Sequence, residues 1–251
     1  VVLTSAWTAS GADEFVRVEA ARFDSVLPEA ANDNSIDLDA FLIEARPVTN
    51  QQFLEFVTRV PAWRRGDVPT LFADGRYLQR WEGPLEIGSA GLHQPVTDVS
   101  WFAATAYCED MGARLPTWYE WEWVAAADGH RLDARDDDAF RQQALEWYSQ
   151  SSAGGPHPVG IGQPNIHGVY DMQALVWEWV QDFGGMMVSP DNREQGDPDL
   201  RKFCGSGALS MTKRDNYAVL MRIAMLSSLE ANYTTQNLGF RCARDLPKAE
   251  R

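Results

Sequence analysis

The most reactive side chains in this 251-residue sequence belong to three cysteines, Cys108, Cys204 and Cys242. A thiolate can act as a nucleophile or bind a soft metal such as copper(I). Their separation does not fit a zinc site, and three thiols allow one intramolecular disulfide with one thiol left over. The histidines also lack the spacing of a zinc or non-haem iron site: His93, His130, His157 and His167. The residues alone leave open which cysteines pair.

Composition limits the classes of partner. With 36 acidic and 22 basic residues, the chain has a formal charge of −14 and no basic cluster, so we do not expect it to bind nucleic acid. No apolar run approaches the roughly 18 to 20 residues that cross a bilayer, so we expect no membrane span. The chain begins at Val1, which fits either a boundary within a longer chain or a mature end left by signal-peptide removal. The length fits one large domain, residues 1–251.

Local signals predict the elements that must position these groups. Three helices are predicted from an N-cap and a stop signal: Thr49 with Pro61, Ser100 with Gly112, and Thr117 with Gly129. A short helix is predicted around Phe140 and Trp147, and strands are predicted at 217–221 and 238–242. The ten tryptophans indicate a core of interlocked aromatic rings or a stacking platform for a ligand. Short helices, short strands and much irregular chain predict an α+β domain.

Four blocks resemble the formylglycine-generating enzyme (sulfatase-modifying factor) family and occur in the family's order. They are Pro47-Val48-Thr49-Asn50; Gln94-Pro95-Val96-Thr97-Asp98-Val99-Ser100-Trp101 with Arg114-Leu115-Pro116-Thr117; Gly168-Val169-Tyr170-Asp171-Met172 with Val176-Trp177-Glu178-Trp179-Val180; and Asn237-Leu238-Gly239-Phe240-Arg241-Cys242. The resemblance covers roughly residues 40–245. It implies a compact α+β fold, related to the C-type-lectin-like fold, with low regular secondary structure.

The resemblance also implies a pairing of the cysteines. Cysteines that match Cys108 and Cys242 form a disulfide in the family's enzymes, so we expect the same bridge here. Two buried thiols in a reducing cytoplasm are the alternative. Cys204 is then the remaining thiol. It is either a reactive or copper-binding residue assisted by a methionine such as Met211, or a small buried hydrophobic residue.

The family's catalytic groups are missing by the same comparison. Its enzymes oxidise a substrate cysteine to formylglycine with dioxygen and copper(I), which two cysteines five residues apart bind. Those positions fall on Ala218 and Ile223, with Arg222 matching the arginine before the second cysteine. We therefore expect neither copper nor this oxidation. The matched cleft residues are Trp118, Trp177, Ser206 and Arg222.

A structural calcium site is implied near the third block. Its matched ligands are the side chains of Asp171 and Glu178 and the backbone oxygens of Ala174 and Val176, which are oxygen donors of the kind calcium prefers. Ala174 replaces the family's usual glycine and Leu175 its usual asparagine. The alternative is that the two carboxylates accept from backbone or arginine donors. A second family calcium site, in the region of residues 145–158, is not expected.

Three functions remain open. The first is a non-catalytic, periplasmic or secreted accessory protein that binds a protein partner. Residues 186–189 and 203–205 look like a subgroup found beside copper nitrite reductases in denitrifying bacteria, which implies a role in maturation of such an enzyme. The second is an oxidoreductase with divergent chemistry based on Cys204 or another metal. The third is an immunity-type protein that neutralises an effector, for which the acidic charge suits a basic target.

Overall fold

The computed structural model describes residues 14–27, 34–149, 155–185 and 217–247. The strands in these ranges are β1 (Phe15–Val18), β2 (Ala21–Asp24), β3 (Ser35–Leu38), β4 (Phe41–Glu44), β5 (Trp177–Glu178), β6 (Leu238–Gly239) and β7 (Ala243–Asp245). The helices are α1 (Asn50–Arg59), α2 (Trp101–Asp110), α3 (Trp118–Ala126), α4 (Asp138–Ser149) and α5 (Tyr217–Ser227). Few and short regular elements confirm the α+β class. Across the described ranges, no helix is long and apolar enough to cross a membrane.

The strands form three small sheets that bring distant parts of the chain together. Strands β1, β4 and β7 pair antiparallel in that order, and β2 pairs with β3 as an antiparallel hairpin. Strands β5 and β6 pair in parallel, with Trp177 opposite Leu238. Gly239 in β6 is required because a Cβ there would lie 2.6 Å from the carbonyl oxygen of Val96. The parallel pair therefore fixes Trp177 against the C-terminal part of the chain.

Side-chain caps begin three of the helices as predicted. Thr49 and Thr117 each form a complete capping box, with Gln52 and Glu120 respectively, at the start of α1 and α3. Ser100 caps α2 by accepting from the backbone N–H of Ala103. These caps satisfy N–H groups that a helix start would leave without partners. The predicted end of α3 at Gly129 is three residues late, since the helix ends at Ala126 with Ala127 in extended backbone.

A disulfide crosses the aromatic core. Cys108 on α2 is bonded to Cys242 just before β7, which confirms the predicted pair. The bridge lies beside fully buried rings, among them those of Phe53, Tyr107 and Phe240, which contact one another at centroid distances of 5.3 to 6.1 Å. It closes a loop across 134 residues. In the chain-entropy model such a long loop stabilises the fold by about 4 to 5 kcal/mol.

The predicted strand at 217–221 is wrong, because these residues begin helix α5. Val219, Ile223 and Leu226 recur at intervals of four and three residues, which places them on one side of a helix. Ile223 and Leu226 are buried, and Val219 packs against the core. A continuous apolar run of five residues does not distinguish a buried strand from a helix. The predicted strand at 238–242 is shorter than expected, since β6 ends at Gly239.

Candidate functional site

A cleft of about 670 Å³ lies between helices α4 and α5. Its other walls come from the loop at 155–162, the loop at 171–176, strand β5 and residues 236–237. Trp147 on α4 and Trp177 on β5 both line it, with ring centroids 5.5 Å apart and ring planes inclined by 59°. Met221 on α5 lines it as well and is 40% exposed. An aromatic, partly open cleft of this size is typical of a ligand-binding site.

Behind Trp177, three more residues form a continuous stack. Trp118 packs against Trp121 with centroids 6.0 Å apart and planes inclined by 30°. The guanidinium carbon of Arg222 lies 3.3 Å from the centroid of Trp121 and 5.9 Å from that of Trp177. A guanidinium at such distances is attracted by the negative face of the indole. The structure thus brings together three of the four predicted cleft residues, Trp118, Trp177 and Arg222, but only Trp177 lines the cleft.

A buried ion pair holds this stack in position. Glu178 and Arg241 are almost fully buried, and both Glu178 carboxylate oxygens accept from the Arg241 guanidinium at 2.8 to 3.1 Å. Glu178 Oε2 also accepts from the indole N–H of Trp121 at 2.8 Å. The Glu178 carbonyl oxygen accepts from Arg222 at 2.7 Å. Glu178 therefore orients the ring of Trp121 and the guanidinium of Arg222 together.

Three of the predicted calcium ligands accept hydrogen bonds from other groups of the protein. The four hydrogen bonds to the Glu178 carboxylate use the four lone-pair positions of its two oxygens. Asp171 Oδ2 accepts from the backbone N–H of Gly160 at 2.7 Å, and the carbonyl oxygen of Ala174 accepts from the N–H of Val176. In this arrangement Glu178 does not fit a calcium ligand, because it would have to release Arg241 or Trp121.

Within the described ranges, no three acidic, histidine or cysteine side chains converge to hold a metal ion. Calcium remains a prediction from the resemblance. Burial raises the pKa of Asp171, and the nearby charge of Glu178 adds to the rise, whereas the Gly160 N–H and the charges of Arg241 and Arg46 oppose it. Asp171 lies on the cleft wall, at the start of a loop in which Leu175 has a φ of 78°.

The positions matched to the family's cysteines both lie on α5. Residue 218 lies in its first turn, and the side chain of Ile223 is buried in the hydrophobic core. Arg222 and Ile223 therefore face the protein interior, while Met221 lines the cleft. The candidate thiol Cys204 and the cleft residue Ser206 lie outside the described residues, as does Met211.

Sequence reasoning missed the residues that form the cleft opposite Trp177. Trp147 was assigned only to a helix, and Glu146 and Met221 were not identified as site residues, yet all three line the cleft. One signal was present: Glu146 and Trp147 are adjacent polar and aromatic residues on a short helix with a largely exposed surface. The packing of α4 against α5 could not be read from either helix alone.

Comparison with known proteins agrees with this fold. A family model described as a sulfatase-modifying factor enzyme 1-like domain matches residues 5–246. A serine/threonine-protein kinase Pkn1 of Chlamydia pneumoniae is 27% identical over 93% of this chain and 38% of its own length. The formylglycine-generating enzyme of Streptomyces coelicolor is 31% identical over 68% of this chain and 59% of its own length. The chain thus spans less than two thirds of these two relatives.

Another relative and two solved structures extend the comparison. The inactive C-alpha-formylglycine-generating enzyme 2 of Bos taurus is 26% identical over 83% of this chain and 78% of its own length. The structure of CarF has a TM-score of 0.53 at 17% identity, over 95% of this chain and all of that chain. PvdO from Pseudomonas aeruginosa has a TM-score of 0.50 at 16% identity, over 92% of this chain and 94% of that chain. With the fold and the match over residues 5–246 in agreement, this chain belongs to the sulfatase-modifying factor family.

Proposed function

We propose that this chain is a non-catalytic, formylglycine-generating-enzyme-like protein that binds a partner through the cleft between α4 and α5. The proposal rests on the residues at positions 218 and 223 of helix α5. Positions 218 and 223 hold alanine and isoleucine, neither of which can bind copper(I), and Ile223 is part of the core. The sequence also has no cysteine between Cys204 and Cys242.

The geometry of α5 argues in the same direction. Successive positions on an α-helix are about 100° apart, so positions five residues apart are separated by about 140° around the axis. Positions 218 and 223 lie on one continuous helix, Tyr217–Ser227. Two thiolates introduced there would not converge on one metal unless the helix unwound. The helical backbone at positions 218 and 223 therefore argues against a copper site in addition to the two side chains.

A relative of this family carries the word inactive in its name, the Bos taurus enzyme 2. A family member without the oxidation is thus compatible with the range of proteins to which this chain is similar. The finer parts of the proposal are an exported, periplasmic location and support of a copper enzyme of denitrification. The Cys108–Cys242 bridge supports the location, because structural disulfides persist in oxidising compartments. The link to denitrification is supported only by the resemblance of residues 186–189 and 203–205.

The test measures oxidation of a cysteine peptide. The purified chain is incubated with a sulfatase-type cysteine peptide, copper(I) and dioxygen, and the peptide is analysed by mass spectrometry. The Streptomyces coelicolor enzyme serves as the positive control. We expect an unmodified peptide with this chain and formylglycine with the control. Multiple turnovers of the peptide by this chain would overturn the proposal.

Metal analysis separates the proposal from divergent redox chemistry. We expect the purified chain to contain neither copper nor iron in stoichiometric amount. Stoichiometric copper or iron that disappears in the Cys204→Ala variant would instead favour an oxidoreductase based on that thiol, because thiolates are the side chains that select copper(I). The same sample can be passed over size-exclusion chromatography with candidate periplasmic copper enzymes.

A further inference from the structure

The cleft combines aromatic surface with negative charge. The rings of Trp147 and Trp177 meet at a corner, with centroids 5.5 Å apart and planes at 59°. The carboxylates of Glu146 and Asp171 line the same cleft. No arginine or lysine is among the described residues that line it. The whole chain carries a formal charge of −14, which adds to the negative potential.

Guanidinium groups lie behind the cleft wall, but none belongs to a described residue that lines the cleft. Glu178 is neutralised by its bidentate pairing with Arg241, so the buried pair contributes little net charge. Arg222 adds one positive charge behind Trp177, 5.9 Å from its ring. Two further guanidiniums lie close to the wall: Arg46, whose charge acts on Asp171 and which is paired with Glu14 at 3.5 Å, and Arg80, which packs against Gly155. The stacking of Arg222 on Trp121 at 3.3 Å shows that tryptophan faces in this region already hold a cation.

We propose that the cleft binds a positively charged group with apolar surface, a guanidinium or an alkylammonium, seated in the corner of Trp147 and Trp177. The inference rests on the proposed function as a binding protein. The indole faces attract the cation, and the carboxylates of Glu146 and Asp171 balance its charge. Met221 supplies apolar wall for the alkyl part of the ligand. An anion such as phosphate would meet two carboxylates and is disfavoured.

A guanidinium can come from the basic segment of a partner protein, and an alkylammonium can be a free quaternary amine. Two pairs of probes differ only in charge and distinguish these sources. The first pair is Gly-Arg-Gly and Gly-citrulline-Gly, in which a neutral urea replaces the guanidinium. The second pair is choline and its neutral isostere 3,3-dimethylbutan-1-ol. Each probe is titrated into the whole oxidised chain by calorimetry, with a calcium chelator present so that Asp171 is not engaged by metal.

We expect at least one cationic probe to bind about tenfold more tightly than its neutral isostere, a ratio typical of a desolvated cation–π contact. Binding of the arginine peptide identifies a basic segment of a partner protein, and binding of choline identifies a free amine. Equal binding of the cationic and neutral members in both pairs, or no binding of any of the four probes, would overturn the proposal.

Variants locate the site. Glu146→Gln retains an acceptor for the side-chain amide of Gln142 and changes an exposed residue, so the fold should be unaffected. It should weaken the cationic probe about threefold to tenfold and leave the neutral isostere unchanged. Glu55→Gln on α1 removes an equally exposed charge away from the cleft and should change neither. Equal losses in both variants would show that only the net charge matters and would refute a built site.

A second variant tests the aromatic corner. Trp147→Phe retains an aromatic face, whereas Trp147→Leu retains only apolar surface. We expect the cation to bind the leucine variant at least several-fold more weakly than the phenylalanine variant. Peptide oxidation, assayed separately, would overturn the proposed function without affecting these ratios. If only the cationic probes fail to bind, the ligand proposal is wrong, but the proposed lack of peptide oxidation is unaffected.

Discussion

Asp98 is a buried carboxylate in a strained position, and its replacement by asparagine should stabilise the protein at neutral pH. The residue is fully buried, has a φ of 57°, and accepts one side-chain hydrogen bond, from Gln79 to Oδ1 at 3.1 Å. Among the described residues, Oδ2 has no hydrogen-bond partner. Burial raises the pKa of Asp98 from 3.8 to about 6, although Gln79, Arg80 and Arg76 oppose the rise. Asparagine tolerates the left-handed backbone and keeps the acceptor for Gln79.

The direction and size of the expected change in unfolding free energy follow from this pKa shift. Because the folded-state pKa lies above the unfolded value, the folded protein binds more protons between these two values, and stability falls as pH rises through them. The change from 3.8 to about 6 corresponds to at most about 3 kcal/mol at about 1.4 kcal/mol per pH unit. Local relaxation around the buried carboxylate lowers the cost of its charge, so we expect about 1 to 2 kcal/mol. Asp98→Asn should gain this amount above about pH 7 and almost nothing below about pH 4.

The assay is urea unfolding of the oxidised protein, followed by tryptophan fluorescence, at pH values from about 4 to about 8. Only the difference between variant and parent is interpreted, since the other carboxylates contribute to both curves. Asp128→Asn is the control. Hydrogen bonds from Arg131 and the His130 backbone hold the pKa of Asp128 at about 2, so its stabilising contribution is lost only below about pH 4 and the effect of this variant should stay constant across the assay range. An Asp98→Asn difference that does not vary with pH, or a loss of stability at pH 8, would refute the reasoning.

Three further predictions concern the backbone, the disulfide and the ion pair. Leu175→Asn should stabilise the protein by up to about 1 kcal/mol in urea unfolding, because its φ of 78° suits asparagine and strains leucine, whereas Leu175→Ala should give no such gain. Reduction of Cys108–Cys242 should cost about 2 to 5 kcal/mol in the same measurement, and thiol titration should rise by two groups. Glu178→Gln or Arg241→Met alone should cost about 3 to 5 kcal/mol, and the double variant should cost clearly less than the sum. Additive single losses would show that the two side chains do not act as a pair.

Local signals sufficed for much of the fold. The capping boxes at Thr49 and Thr117 depend on residues three positions apart, so the sequence alone predicts them. The structure contains both. The Cys108–Cys242 bridge followed only from the resemblance to a family. Helix α5 was missed because its first five residues are a continuous apolar run, which fits a buried strand as well as a helix, and its burial depends on packing against residues that are distant in the chain.

The cleft was less predictable for a physical reason. Its walls come from α4, two loops and α5, and their approach depends on side-chain packing over more than 70 residues of sequence. Trp177 was identified because it belongs to a recognisable block, but its partner Trp147 lies on a helix whose sequence indicates only an amphipathic element. A two-residue contact between distant elements leaves no periodic signal in either of them.

The aromatic wall of the cleft is held by contacts from β5, β6 and Arg241. Trp177 is fixed by the parallel pairing of β5 with β6, and Trp121 and Arg222 are fixed by Glu178. Glu178 is in turn held by Arg241, a residue outside α5. None of these contacts uses position 218 or 223. The aromatic wall therefore does not require a cysteine at either position, which is compatible with the proposed binding function.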